Sequence, residues 1–482
     1  MSEKKVRVRI APSPSGNLHV GTARTALFNY LFAKKMGGDF VLRIEDTDLE
    51  RSDAKYIQNI FDSLRAIGLL WDEGPDKGGP YAPYSQSEKF DIYKKYASKL
   101  LDEGYAYECY CTQEELEAEK ELSVKNKVAH KYSGRCKKLT PEQKEQYVKE
   151  GRKPTIRFAV PEDQTISYED LAKGHLEFDS NLIGDFVIMK SNGTPTYNFA
   201  VVVDDIDMKI THILRGEDHI SNTAKQILIY AALETEAPEF AHLGMILAPD
   251  RSKLSKRHGA TAVSEFIEQG YLPEAFVNFI ALLGWSPSDG EEIKSLDEIV
   301  ADFDINRLSS SNSIFEFDKL NWMNGQYIRS LPVADILERS KMYLKDYDLS
   351  EYTQTQLERM VEVVREPLHL LSEIKDSVSY FFGENVEIEN EVQTTVLDTE
   401  ESQKVLKDFL ELAQSTAYTE DAWHHALEEF RGKFKEQGIK PKNTMWAIRA
   451  ALTGRTKGAD ICATIALLGK DKVTKRTQKA IK

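Results

Sequence analysis

Only four cysteines occur in 482 residues, no apolar run reaches 18 residues, and no internal repeat of fixed period is present. Too few for a disulfide framework, Cys109, Cys111 and Cys136 fall close together, which favours a metal over cross-links, while Cys462 stands alone. The lack of a long apolar run excludes a membrane span. Met1 to Lys5 lead into a strand without an apolar signal segment, so the expectation is a soluble, cytoplasmic protein with no membrane partner. Positive charge is also short, since 63 Lys and Arg face 78 Asp and Glu for a net charge of −15. That balance argues against a generic nucleic-acid binder.

What is present is a foldable composition, 41% hydrophobic and 10% aromatic, on a chain long enough for three to five domains of roughly 100 to 200 residues. Charge is divided sharply near the end. Residues 383–430 carry thirteen acids against Lys404 and Lys407, whereas residues 431–482 carry fourteen bases against Glu436, Asp460 and Asp471. Either the two segments neutralise each other as packed helices, or the second offers a basic binding face.

The most informative stretch is Ala11-Pro-Ser13-Pro-Ser-Gly-Asn-Leu-His19-Val-Gly21. Val6, Val8 and Ile10 alternate with Lys5, Arg7 and Arg9 as in a half-buried strand, and from Gly21 apolar residues recur at helical spacing. Strand, tight turn and helix place Gly21 and Thr22 at a helix N-terminus, where unpaired N–H groups and the helix dipole favour a phosphate, with His19 beside them. The plainer alternative is an ordinary α/β turn whose histidine is satisfied locally.

Phe40 to Ile44 reads as a second strand followed by Glu45, Asp46, Thr47 and Asp48 at the ligand edge of a parallel sheet. A carboxylate there can bind an amino group or a ribose, although Asp46 and Asp48 read better as caps of a helix over residues 52–66. After a helix from Lys89 to Leu101 the texture changes. Cys109 and Cys111, a charged helix from Gln113, Cys136, and short strands over 155–190 form an inserted α+β module. The α/β pattern resumes with Asn198 to Val203 as a strand buried on both faces, Ile213 and Leu214 leading into Arg215, a helix from Thr223, and a strand from Leu243 to Ala248. A polar loop follows, Lys253-Leu254-Ser-Lys256-Arg257-His-Gly259, and beyond residue 265 the chain reads as helical. The expected fold class is a Rossmann-like doubly wound parallel sheet with an inserted α+β module, followed by an all-α half. The expected segments are 1–96 and 196–250 (the α/β domain), 97–195 (inserted), 251–332 (the lysine loop and the helices after it), and 333–382 and 383–482 (two helical parts).

His19-Val-Gly21 and Lys253-Leu-Ser-Lys256-Arg257, in that order across an α/β domain, resemble the two signature sequences of class I aminoacyl-tRNA synthetases. Arg9-Ile-Ala-Pro-Ser-Pro-Ser-Gly, Arg43-Ile-Glu-Asp-Thr-Asp and Leu214-Arg-Gly-Glu-Asp are similar to those of bacterial-type glutamyl-tRNA synthetases. The resemblance implies activation of L-glutamate with ATP and Mg2+ and transfer to the 3′ adenosine of the glutamate tRNA, by a monomer. His19 and Lys256 are then catalytic, and His19, Gly21, Thr22, Lys253, Leu254, Lys256 and Arg257 bind ATP. Arg9 and Arg215 take the glutamate side-chain carboxylate and Glu45 its ammonium group, with Ala11, Ser13, Tyr197 and Val201 lining the pocket. The inserted module guides the acceptor end, the helical half reads the anticodon loop, and the basic stretch from Arg431 adds phosphate contacts. Some family members hold zinc in the insertion. By that pattern Cys109, Cys111 and Cys136 are ligands, Lys138 stands where a histidine is expected, and Tyr132, or His130 in its place, supplies the fourth; the alternative is three reduced thiols in a small hydrophobic cluster. Val364-Arg-Glu366-Pro367 matches the region where discriminating members carry an arginine, which leans toward use of the glutamine tRNA as well. The competing readings are a catalytically silent tRNA-binding paralogue and a glutamine-type synthetase.

Overall fold

Four parallel strands carry the site, and their order follows from alternating strands and helices. In the computed structural model, which describes residues 5–48, 50–127 and 131–482, β1 (Arg7–Ile10) pairs in parallel with β2 (Asp39–Leu42) across the helix α1 (Val20–Lys35). The alternation in β1 predicts a half-buried strand, yet all four residues are buried. Buried guanidinium groups need acidic partners, and they have them: Arg7 meets Glu73 at 2.7 Å and Asp39 at 2.8 Å, and Arg9 meets Asp205. Asp53 caps α2 (Ala54–Ala66) by accepting from Lys55 N at 2.9 Å, so neither Asp46 nor Asp48 does. Asp46 is buried and accepts instead from Ser87 N and Oγ.

The helix α3 (Phe90–Asp102) leads into the insertion, where β3 (Ala106–Cys109) is followed by α4 (Gln113–Lys125) and α5 (Pro141–Lys149). Next come β4 (Thr155–Phe158), β5 (Thr165–Asp170), β6 (Gly174–Asp179), the single turn α6 (Ser180–Ile183) and β7 (Phe186–Met189). β3, β4 and β7 form an antiparallel sheet, whereas the β5–β6 hairpin leaves the insertion and extends the main sheet. Residues 198–203 are not a strand but part of α7 (Tyr197–Asp207). A helix buried all round shows the same unbroken apolar run as a buried strand, so the run does not tell the two apart.

β8 (His212–Gly216), α8 (Ile220–Ala232) and β9 (Glu239–Leu243) complete the parallel core, in the order β6-β5-β9-β8. β8 lies beside β1, where Thr211 N donates to Arg7 O at 2.9 Å. The strand expected over 243–248 is broken at Gly244 and Met245 and resumes only as β10 (Ile246–Leu247), which pairs with β11 (Ser313–Ile314).

The chain divides into two units, the first over residues up to 266 with 276–316, the second over 267–275 with 317–482. The second is helical, with long helices over Glu400–Ser415, Glu420–Glu436, Pro441–Thr453 and Ile461–Ala480 around buried Trp423, Phe409 and Ile448. Here the acidic and basic segments meet in part: Lys433 pairs with Asp408, Lys475 with Glu384 and Lys482 with Asp398. Arg476 is buried among four main-chain carbonyls, those of Tyr380, Gly383, Glu384 and Leu452, while Lys440 and Lys442 stay exposed. Among the described residues no helix is long and apolar enough to cross a membrane.

Candidate active site

A cavity of about 580 Å³ opens at the carboxyl ends of β1, β2 and β8 and at the N-terminus of α1. Arg9, Ala11 and Ser13 enter it from β1 and the following turn, and Glu45 comes from just past β2. Tyr197 of α7 and Arg215 of β8 form the facing wall, and His19, Gly21, Thr22, Lys253 and Leu254 form the other end. Val201, one turn beyond Tyr197, is not part of this wall; it is 1% exposed and packs in the hydrophobic core. Lys256 and Arg257 also lie off the cavity, on an exposed turn over Lys256–His258.

The two distant signature stretches are joined by main-chain bonds. Val20 N donates to Thr261 O at 2.9 Å and Val263 N to Leu18 O at 3.0 Å, which fixes the end of the lysine loop against the start of α1. His19 is the N-cap of α1, and its Nδ1 accepts from Gly21 N at 3.1 Å. The tautomer is therefore set, with hydrogen on Nε2. Burial lowers the His19 pKa, and the charge of Lys253 lowers it further, so a neutral ring presents a donor at the N-terminus of the helix, beside Thr22.

The two arginines are not equivalent. Arg9 is bound to Asp205 by Nε at 3.1 Å and Nη2 at 3.3 Å, and Asp205 is shared with the fully buried Arg43 at 2.6 Å. Arg215 is 5% exposed and has only neutral acceptors among the described residues: Nη2 donates to Thr223 Oγ1 at 2.6 Å and Gln226 Oε1 at 2.8 Å, Nε faces His242 Nε2 at 3.3 Å, and Nη1 has no partner among them. A buried cation without a counter-ion is costly unless a ligand brings the charge. Glu45 bonds Arg43 at 3.2 Å, and burial raises its pKa against the pull of Arg43 and Arg9. Tyr197 OH meets His219 Nδ1 at 3.1 Å, and burial holds the His219 pKa at about 4, helped by Arg215. His219, Asp205, Thr223, Gln226 and His242 are site residues that sequence reasoning did not assign. Only His219 had a signal, as the residue directly after the Leu214-Arg-Gly-Glu-Asp stretch.

In the insertion the three sulfurs of Cys109, Cys111 and Cys136 lie within 4.8 Å of one another. Tyr132 OH is 3.4 Å from Cys109 Sγ and 3.2 Å from Cys111 Sγ, so all four expected atoms converge. Hydrogen bonds, first from Cys111 and then from Cys136, pull the Cys109 thiol far down. Lys138 is in the same turn but not in this group, and His130 lies outside the described residues.

A doubly wound sheet with a helix N-terminus at its ligand edge, followed by an all-helical unit, is the architecture of a class I aminoacyl-tRNA synthetase. Residues 5–322 match the tRNA synthetases class I (E and Q), catalytic domain, and residues 335–481 match an anticodon binding domain; the chain belongs to this family. It is 47% identical to a glutamate–tRNA ligase of Carboxydothermus hydrogenoformans over 98% of both chains. It is 46% identical to a glutamate–tRNA ligase of Desulforamulus reducens over 99% of this chain and all of that one. A crystal structure of a glutamate tRNA ligase from Elizabethkingia meningosepticum, in complex with its amino acid, superposes with a TM-score of 0.91 at 35% identity over 99% of each chain.

Proposed function

We propose that the chain is a glutamate–tRNA ligase, a cytoplasmic monomer that joins L-glutamate to ATP as glutamyl-adenylate and passes it to the 3′ adenosine of the glutamate tRNA. The observation that carries the substrate is Arg215, a buried guanidinium that has, among the described residues, no acidic partner and nothing on Nη1. An anionic side chain satisfies it, whereas the neutral amide of glutamine leaves its charge uncompensated. Arg9, already neutralised by Asp205, adds hydrogen bonds more than charge. Glu45 lines the same cavity and accepts from the substrate ammonium.

With the substrate held there, its α-carboxylate attacks the α-phosphate of ATP and pyrophosphate leaves. The protein's share is orientation and charge stabilisation. His19 Nε2–H and the N–H group of Thr22 hold phosphate oxygens at the α1 N-terminus, and Lys253, at the same end of the cavity, adds its charge. Lys256 and Arg257, exposed on their turn, reach the leaving pyrophosphate when the loop closes. Glu45 and Asp218 are the carboxylates among the lining residues, and Mg2+ bound with ATP would screen the triphosphate charge. In the second step the 2′ hydroxyl of the terminal ribose attacks the glutamyl carbonyl, loses its proton, and AMP leaves. Glu366 and Pro367, where discriminating relatives are expected to carry arginine, favour charging of the glutamine tRNA as well.

Replacing Arg215 by Lys removes the planar fork and should raise the glutamate KM by about tenfold or more while leaving the ATP KM within about twofold. An unchanged glutamate KM removes Arg215 from the site. Three sulfurs and a phenol oxygen suit tetrahedral zinc, and Cys109, Cys111 and Cys136 would hold it, with Tyr132 fourth, as a clip that orders the insertion. Metal analysis of the purified protein should return about one equivalent; less than about a tenth of one leaves the thiols as a small apolar cluster.

A further inference from the structure

Behind Arg215, away from the cavity, lies a buried chain of groups that the proposed reaction leaves unused. Asp170 is the last residue of β5 and His242 is in β9, and both side chains are fully buried. Asp170 Oδ1 accepts from three main-chain N–H groups, those of Ala172, Lys173 and His242, at 3.0, 2.9 and 3.1 Å. Oδ2 is 2.5 Å from His242 Nδ1. A carboxylate so surrounded stays ionised and can only accept, so the hydrogen of the imidazole sits on Nδ1. Nε2 is then a lone pair, and two donors face it, Arg215 Nε at 3.3 Å and Thr223 Oγ1 at 3.0 Å. The Phe240 ring stacks on His242 with an interplanar angle of 13°, which keeps the ring plane fixed.

We propose that Asp170 and His242 are a positioning pair for Arg215, which fixes one imidazole tautomer as a neutral acceptor and so aims an uncompensated guanidinium at the substrate carboxylate. The ring acts as a spacer. A carboxylate in direct contact with Arg215 would neutralise it, as Asp205 does Arg9, and the pocket would lose its preference for an anionic side chain. A neutral acceptor orients the same guanidinium and leaves its charge for the ligand. The strand that supplies Asp170 comes from the insertion, so the amino-acid pocket is completed by a segment outside the nucleotide-binding fold.

The inference rests on Arg215 being the carboxylate partner, and a double-mutant cycle separates the two claims. Steady-state charging is measured for the full-length protein, for His242→Phe, His242→Gln, Asp170→Asn and Arg215→Lys, and for His242→Phe combined with Arg215→Lys, with glutamate and glutamine as competing substrates. His242→Phe, which keeps a flat ring without an acceptor, should raise the glutamate KM about tenfold with kcat and the ATP KM little changed, and should narrow the preference for glutamate over glutamine. Asp170→Asn, whose amide can reverse the tautomer, should do the same. His242→Gln retains an acceptor and should recover part of the loss. In the Arg215→Lys background His242→Phe should add less than about twofold, because the contact through which it acts is gone.

Equal loss in both backgrounds, or a fall in kcat and both KM values together, overturns the proposal by making the pair merely structural. Arg215→Lys with an unchanged glutamate KM overturns the site reading and takes this inference with it. Should His242→Phe fail to fold, as a melting curve shows, Asp170→Asn and His242→Gln carry the test, and an unaltered glutamate KM in Asp170→Asn contradicts it.

Discussion

At the scale of single residues, the proposed chemistry depends on which groups are left unsatisfied. His19 spends Nδ1 on capping α1, which leaves Nε2–H as the donor the proposed reaction uses on the nucleotide. His19→Ala should therefore reduce kcat by about a hundredfold, with a smaller change in the glutamate KM, because contacts to a charge that develops in the transition state act on kcat. Lys256→Ala should behave alike, and unchanged turnover in either variant removes that residue from the mechanism. His19 and the lysine loop were open to proposal from the sequence because each lies in a contiguous motif. The support of Arg215 was not. Asp170 and His242 stand 72 residues apart and acquire meaning only through the pairing of β5 with β9. The different pairing of Arg9 and Arg215 was equally hidden, because Asp205 lies just past the residues read as a buried strand and is in fact near the end of a helix.

At the scale of elements, two long helices of the second unit, Glu420–Glu436 and Pro441–Thr453, end where glycine permits a left-handed turn, at Gly438 and Gly454. These ends differ in what surrounds them. Gly454 has φ of 73°, and a Cβ there would lie 2.0 Å from Glu387 O, whereas Gly438 has φ of 84° and open space around it. Gly438→Ala should cost about 1 kcal/mol from backbone strain alone. Gly454→Ala must also displace a carbonyl and should cost about 1 to 2 kcal/mol more. Urea melts of the two variants check this, and equal midpoints contradict the close packing of Gly454. The helix α7 shows the opposite limit of sequence reading. Its residues 199–203 are apolar on every side because the sheet and other helices enclose them, so no period was available to distinguish it from a strand.

At the scale of the whole molecule, the parallel core, the antiparallel insertion and the helical unit were all legible, since each keeps its own texture over tens of residues. The paired acidic and basic segments near the end show why net charge alone did not reveal a nucleic-acid partner: much of the basic excess is spent on Asp408, Glu384, Asp398 and buried carbonyls. The central claim is that one cavity selects glutamate and activates it for transfer to tRNA. The direct measurement is ATP-dependent charging of purified glutamate and glutamine tRNAs, with labelled glutamate and labelled glutamine in separate reactions. The account predicts glutamyl-tRNA on the glutamate tRNA, a slower appearance on the glutamine tRNA, and no glutaminyl product on either. Glutaminyl-tRNA, or no charging at all, contradicts it.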